Sequence, residues 1–342
     1  MSVVDPYSYV LPEELIAQRP VYPPESARMM VINRADGAIK HSSFAEITSF
    51  LRPGDHLVFN ETKVIPARLF GNLESSSGQA VEVMLLSELS GDRWVAIGYP
   101  MRKIRQAQQI VISEQLIAEV LASESDDRLL LKFRSLSDAP VARLLDEVGT
   151  MPIPPYIRDG RGDERDLTDY QSIFARNPGS VAAPTASLHF SDPLVEKITG
   201  EARCVIERIT LHVGAASFQP VIVNGELRPP GEERLEVPDD VMLRLTNAKR
   251  DGHRVIAVGT TVVRALESAA RGIRSNATTL FIQPGFEFKL VDALVTNFHQ
   301  PGTTHLLLVE ALLARDNLSK AYSAAVSNSY RFLSYGDGML II

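Results

Sequence analysis

The hydrophobic period changes along this chain, and that change limits the folds open to it. Between Pro66 and about Phe133, short apolar or alternating runs occupy 80–86, 93–99, 109–112, 116–121 and 128–133. Ser75-Ser76-Ser77-Gly78, Ser90-Gly91-Asp92 and Ser125-Asp126-Asp127 separate them as turns. Short strands at this spacing predict an antiparallel sheet closing as a small barrel. After Cys204 the pattern becomes buried strands alternating with helices. Strands are expected at 205–213, 254–258, 279–282 and 293–298, and helices at 241–250, 262–271 and 304–314. That order predicts a layered α/β domain. A helix at 44–50 followed by a strand at 57–60 repeats it upstream. The fold class is therefore α/β, a layered domain formed by residues 1–65 and 140–342 with a small antiparallel β-barrel domain inserted at 66–139. Between the two patterns, a helix at 141–148 ends at Gly149. The segment Met151-Pro152-Ile153-Pro154-Pro155-Tyr156 that follows is too rich in proline for helix or central strand.

Composition narrows the setting more than the function. The 342 residues are 45% hydrophobic and 23% charged, ordinary for a globular protein with a sizeable core. A formal charge of -7 argues against a generally basic nucleic-acid coat, though a local arginine cluster can still meet phosphate. The single Cys204 excludes an internal disulfide and a cysteine-based zinc site, which fits a reducing, cytoplasmic setting. No apolar run approaches the roughly 20 residues of a membrane-spanning helix, so no membrane partner is expected. The first twelve residues do not read as a secretion signal.

Ligands of open α/β sheets bind beyond the carboxyl ends of the strands. Five such places are polar here. They are Asn60-Glu61-Thr62-Lys63 with Arg68 following, His212-Val213-Gly214, Gly259-Thr260-Thr261, Asn297-Phe298-His299 and Tyr335-Gly336-Asp337. Gly259-Thr260-Thr261 lies between a strand and a helix, where free amides favour an anion or where a threonine simply caps the helix. Arg264 and Glu267, three apart, read either as site residues or as a surface pair. His189, His212 and His299 end apolar stretches, where imidazole can bind substrate or move a proton. His41, His56 and His253 read as surface residues. The stretch from Gly179 to Phe190 holds Gly, Ala or Ser at six of twelve positions, leaving room for a flat ligand against backbone. Ser187 and His189 within it leave open a hydrolytic pair. His299 and His305 lack the spacing of helical metal ligands, and no metal is expected. Hydrolase-elbow, dinucleotide and Walker motifs are absent.

Taken in order, these segments resemble the S-adenosylmethionine:tRNA ribosyltransferase-isomerase family of queuosine biosynthesis. The matching pieces include 58–69, Pro154-Pro155-Tyr156-Ile157, Tyr170-Gln171, 179–190, Thr210 through Gly214, Gly259-Thr260-Thr261 with Arg264, Thr296 through His299, and Tyr330 through Asp337. The resemblance implies that the ribosyl part of S-adenosylmethionine passes to a 7-aminomethyl-7-deazaguanine base at the tRNA wobble position, with release of adenine and methionine. S-adenosylmethionine is then a substrate, no separate cofactor is implied, and the chain is expected to act as a monomer. A base must remove a hydrogen beside the sulfonium.

On that resemblance His299, His212 and Glu61 are the catalytic candidates. Asn60, Arg68, Ala183, Pro184, Thr185, His189, Gly214, Gly259, Thr260, Thr261, Arg264, Asn297, Tyr335 and Asp337 would bind substrate, and Arg158, Arg161 and Arg165 would meet tRNA phosphates. The chain departs from the family pattern at four places. Ala216-Ser217-Phe218 replaces a Gly-Thr-Phe, and 227–233 lacks both histidines of a His-x-Met-His-x-Glu element. Asp169 stands where an Arg commonly precedes Tyr-Gln, and Gln300-Pro301-Gly302-Thr303 loses a Lys. These losses motivate a second reading, a diverged relative that binds S-adenosylmethionine or RNA but acts on another acceptor or not at all.

Overall fold

The computed structural model describes residues 9–74, 78–123, 128–214 and 229–342, with the backbone of 222–223 and 226–227. The altered triplet Ala216-Ser217-Phe218 lies outside the described residues. Two compact units divide the chain. One comprises Met1–Lys63, Asp169–Asn177 and Ala183–Ile342, and the other Val64–Thr168 with Pro178–Ala182. The second unit thus takes in the helix Val141–Val148 and the proline-rich segment as well as the 66–139 stretch.

The second unit holds a closed barrel in the order Arg128–Ser135, Arg93–Tyr99, Ala80–Glu88, Arg68–Leu73, Gln109–Val111, Leu116–Ser123. Every neighbouring pair is antiparallel. Alternation sets its inside: Val81, Val83 and Leu85 are buried while the residues between them are partly exposed. Arg68–Leu73 was not expected as a strand, because Gly71 interrupts its pattern. A Cβ at Gly71 would stand 2.7 Å from the Val111 carbonyl oxygen, so close strand approach requires glycine there.

The first unit is built on a nine-stranded mixed sheet. Its order is Ser275–Thr278, Glu233–Glu236, Val205–Leu211, His56–Asn60, Val255–Val258, Ala293–Asn297, Gly338–Ile341, Arg28–Ile32, Ile39–Ser43. Val205–Leu211, His56–Asn60, Val255–Val258 and Ala293–Asn297 are mutually parallel, so their carboxyl ends share one edge. Gly338–Ile341 runs against Ala293–Asn297, with Gly338 opposite Asn297. The segment before Gly338 therefore arrives at that same edge. His56–Asn60, Val255–Val258 and Ala293–Asn297 are buried on both faces, the pattern of parallel strands covered on each side. On one face Phe59 stacks on Phe174 at 4.0 Å and meets Phe190 edge-on at 4.8 Å. Leu57, Ile256, Val258 and Val295 join that core.

Two expectations in this unit need correcting. The strand near 279–282 is instead Ser275–Thr278, a polar edge strand whose exposed residues hide the pattern. Arg264 and Glu267 are not a surface pair, since the helix Thr260–Ala269 is buried along all ten residues. Glu267 accepts the backbone N–H groups of Lys289, Leu290 and Val291 at 2.9 to 3.0 Å and pairs with Arg271 at 2.6 Å. It fixes the loop that leads into the strand Ala293–Asn297. Glu267→Gln keeps the acceptor oxygen but loses the charge, so urea titration should show a loss of about 1–3 kcal/mol.

Candidate active site

Asn60, fully buried at the end of its strand, ties two neighbouring tips together. Its Nδ2 donates to the Leu211 carbonyl at 2.8 Å and to Thr261 Oγ1 at 3.3 Å. Its Oδ1 accepts the N–H groups of Leu211 at 3.0 Å and Thr62 at 3.1 Å. Because leucine can satisfy none of these groups, Asn60→Leu should cost about 3 kcal/mol of unfolding free energy, read from the urea midpoint at constant m.

Gly259 begins the central helix with φ +102°, a backbone conformation that favours glycine. No side chain caps this helix: Gly259 is the N-cap residue, and the Thr261 hydroxyl receives Asn60 instead. Simple threonine capping is thereby excluded. A Cβ at Gly259 would lie 3.8 Å from Ala186 Cβ, which puts the 185–189 turn against this tip. That turn is a 3-10 helix, Thr185–His189. The Ser187 hydroxyl has no partner among the described residues, while His189 Nε2 lies 3.3 Å from Asn297 Nδ2 and its ring stacks on Phe44 at 4.0 Å. The Ser187–His189 hydrolytic pair is therefore not formed. Thr185 Oγ1 donates to Asn297 Oδ1 at 3.2 Å, and Ala183 is buried beside Pro184 at the start of the turn.

Four imidazoles near this edge are held neutral. Burial lowers His189 to about 3, with Arg331 adding to the shift, and lowers His212 to about 4, helped by Arg234. His305 is held at about 4 by burial and then by Arg264, and His299 lies well below its usual value through burial and then His305. Each of two has a hydroxyl partner that sequence reasoning passed over. His212 Nδ1 is 2.8 Å from Thr62 Oγ1, and His299 Nε2 is 2.8 Å from Thr296 Oγ1. His299 also stacks on His305, ring centroids 5.2 Å apart. His305 shares a small cleft with Thr260, Thr261 and Arg264. Neutral imidazoles in such a place can accept a proton at neutral pH.

The remaining candidates divide sharply. Glu61 Oε1 accepts from Asn177 Nδ2 at 3.1 Å, which also donates to Thr210. Arg264 is tied to Glu233 and the Leu280 carbonyl, and Glu233 in turn accepts the Gly214 N–H at 3.2 Å. Glu233 thus links two candidates from an element the sequence left unassigned. Tyr335 packs edge-on against Tyr170, and Asp337 accepts the backbone N–H groups of Arg28 and Arg331 at 2.9 and 2.8 Å. Asp169, at the position of the lost arginine, accepts from the Tyr22 hydroxyl.

In the barrel unit, Arg68 is bidentate to Glu82 at 2.7 and 2.9 Å and donates to the Gly160 carbonyl. Arg158 Nη2 donates to both carboxylate oxygens of the buried Asp166, at 2.7 and 2.6 Å, whereas Arg161 and Arg165 are exposed. Of the presumed surface histidines, His56 is buried, its Nδ1 3.4 Å from Glu207 Oε1.

Comparison with known proteins agrees with this geometry. The family model described as queuosine biosynthesis protein matches residues 4–341. The S-adenosylmethionine:tRNA ribosyltransferase-isomerase of Thermotoga maritima is 43% identical over 344 residues, 99% of each chain. The protein of that name from Aquifex aeolicus is 44% identical over 341 residues, again 99% of each chain. The solved structure of S-adenosylmethionine tRNA ribosyltransferase from Thermotoga maritima aligns with a TM-score of 0.55 at 36% identity, covering 98% of this chain and 100% of that one. With its tips gathered at one sheet edge and its full length matched, this chain belongs to the queuosine biosynthesis protein family.

Proposed function

We propose that this protein is an S-adenosylmethionine:tRNA ribosyltransferase-isomerase. It moves the ribosyl part of S-adenosylmethionine onto 7-aminomethyl-7-deazaguanine at the tRNA wobble position and rearranges it to the epoxycyclopentanediol of epoxyqueuosine, releasing adenine and methionine. Relatives of that name at 43% and 44% identity over 99% of the chain support the catalytic reading over a diverged, inactive one. The observation that carries it is the single edge on which Asn60, Gly259, Asn297 and neutral imidazoles meet.

In this reading S-adenosylmethionine is consumed as a substrate and no other cofactor takes part. His299 accepts the proton removed beside the sulfonium, with Thr296 fixing its ring, and His212 is the second candidate for that role. Glu61 orders polar parts of the donor, while Asn60 holds the strand tips around it in place. The 183–189 turn receives the purine, its small residues letting the ring approach backbone. Arg161 and Arg165, both exposed, meet the tRNA phosphates. The protein works as a cytoplasmic monomer; among the described residues no helix is long and apolar enough to cross a membrane.

The test is incubation of the pure protein with S-adenosylmethionine and tRNA carrying the deazaguanine precursor. One adenine and one methionine per modified base are expected. Tight binding of both substrates with no adenine released would overturn the assignment.

A further inference from the structure

The Asn297 side chain joins two segments that meet over the sheet edge. Its Oδ1 accepts from Thr185, while its Nδ2 reaches His189 and donates to the Leu333 carbonyl at 3.1 Å. The Thr185–His189 turn and the stretch Arg331 to Leu333 are therefore neighbours. Each carries a buried polar atom that has no partner among the described residues, Ser187 Oγ on the turn and Arg331 Nη1 on the stretch. The rest of Arg331 is fixed: its backbone N–H donates to Asp337 Oδ2 at 2.8 Å and its Nη2 donates to the Arg19 carbonyl. Asp337 does not cover Nη1, because its two oxygens take the backbone N–H groups of Arg331 and Arg28. Ser187 is fully buried.

A guanidinium nitrogen shut away from water without an acceptor is costly, and so is a buried hydroxyl. Both costs vanish when one small anion takes the two donors together. His189, two residues from Ser187 and within reach of the Arg331 charge, is neutral, so it adds no competing charge and leaves Arg331 as the cation of the group. A phosphate on a polynucleotide is bulky and backbone-bound. A terminal carboxylate on a flexible tail can enter a place where the hydroxyl is wholly covered.

We propose that Arg331 Nη1 and Ser187 Oγ bind the α-carboxylate on the methionine tail of the sulfonium donor. This assignment rests on the ribosyl-transfer reading and adds to it the group that holds the tail while adenine and ribose react elsewhere on the edge. Arg331 is a binding residue here, outside the proton-transfer step.

Calorimetry on the full chain tests it with two ligands, S-adenosylmethionine and its decarboxylated analogue, S-adenosyl-3-methylthiopropylamine. The unaltered protein should favour the carboxylated donor by about 10- to 100-fold, the range of a charge-assisted hydrogen bond. Arg331→Gln should remove that preference by weakening S-adenosylmethionine alone, Ser187→Ala should reduce it in the same direction, and Arg331→Lys should restore part of it. Equal affinity of the unaltered protein for both ligands overturns the proposal even if Arg331→Gln fails to fold. So does a folded Arg331→Gln protein that keeps the full preference. A variant whose tRNA KM rises while donor affinity stays unchanged would give the site to an RNA phosphate and likewise overturn it. If the unaltered protein binds neither donor, the ribosyl-transfer reading itself falls.

Discussion

Replacing His299 by alanine should lower kcat for ribosyl transfer by about 10²- to 10⁴-fold, the range expected when a general base is removed. The donor KM should move little, because the contacts assigned to donor binding lie on Glu61, the 183–189 turn and Arg331. Burial and His305 hold His299 well below the usual imidazole range, so it is unprotonated throughout the working pH. The rate should therefore show no acid limb near pH 6.5. His212 is the control, held neutral at about 4 but hydrogen-bonded to Thr62 two strands away from the Ala293–Asn297 tip in sheet order, past Val255–Val258. A His212→Ala enzyme that loses as much rate, beside a His299→Ala enzyme that keeps its own, would transfer the role to His212. Adenine release in single-turnover mixing separates this step from tRNA binding.

The second large effect is on stability in acid. An unfolded imidazole takes up its proton near pH 6.5. The folded His189 waits until about pH 3, and His212 and His305 until about pH 4. Between those values the unfolded chain binds more protons than the folded one, so stability is complete above about pH 6.5 and falls as the pH falls. Each pH unit in the window removes about 1.4 kcal/mol per withheld proton, so His189 alone takes about 3 kcal/mol by pH 4. Urea midpoints at pH 7, 5.5 and 4.5 should drop steeply, and His189→Gln should flatten the slope by one proton. A midpoint that stays level from pH 7 to 4.5 would contradict buried, neutral imidazoles.

What the sequence disclosed depended on whether the signal was local. The barrel strands were readable because side chains alternate across each strand, and Arg93–Tyr99 appears with the expected limits. The helix Val141–Val148 does too, its end marked by Gly149. Arg68–Leu73 escaped notice because Gly71, needed for the close approach of Val111, looks like a breaker. The polar strand Ser275–Thr278 gave no apolar pattern at all.

At the site, Asn60, His212, Gly259 and Asn297 could be picked out because each follows a buried strand. Their partners could not. Arg264 meets Glu233, which is 31 positions away, and spacing along one helix says nothing of such a pair. The Thr62–His212 and Asn297–His189 contacts likewise join distant segments. Thr296 beside His299 was closer to reach, three positions away in a segment already singled out. Arg331 stood within a matching motif, but only coordinates reveal that one of its nitrogens is buried without an acceptor.

The strand Gly338–Ile341 is inserted between Ala293–Asn297 and Arg28–Ile32. Assembly of this sheet therefore cannot follow the order of synthesis. The Arg28–Ser43 hairpin leaves the ribosome long before Gly338–Ile341, the strand that covers its inner side. Until then the nascent chain carries the hairpin's unzipped, apolar inner margin, joined late by that of Ala293–Asn297, a state prone to mispairing. Chaperone dependence during synthesis, and insolubility of fragments that stop short of Gly338, are the consequences.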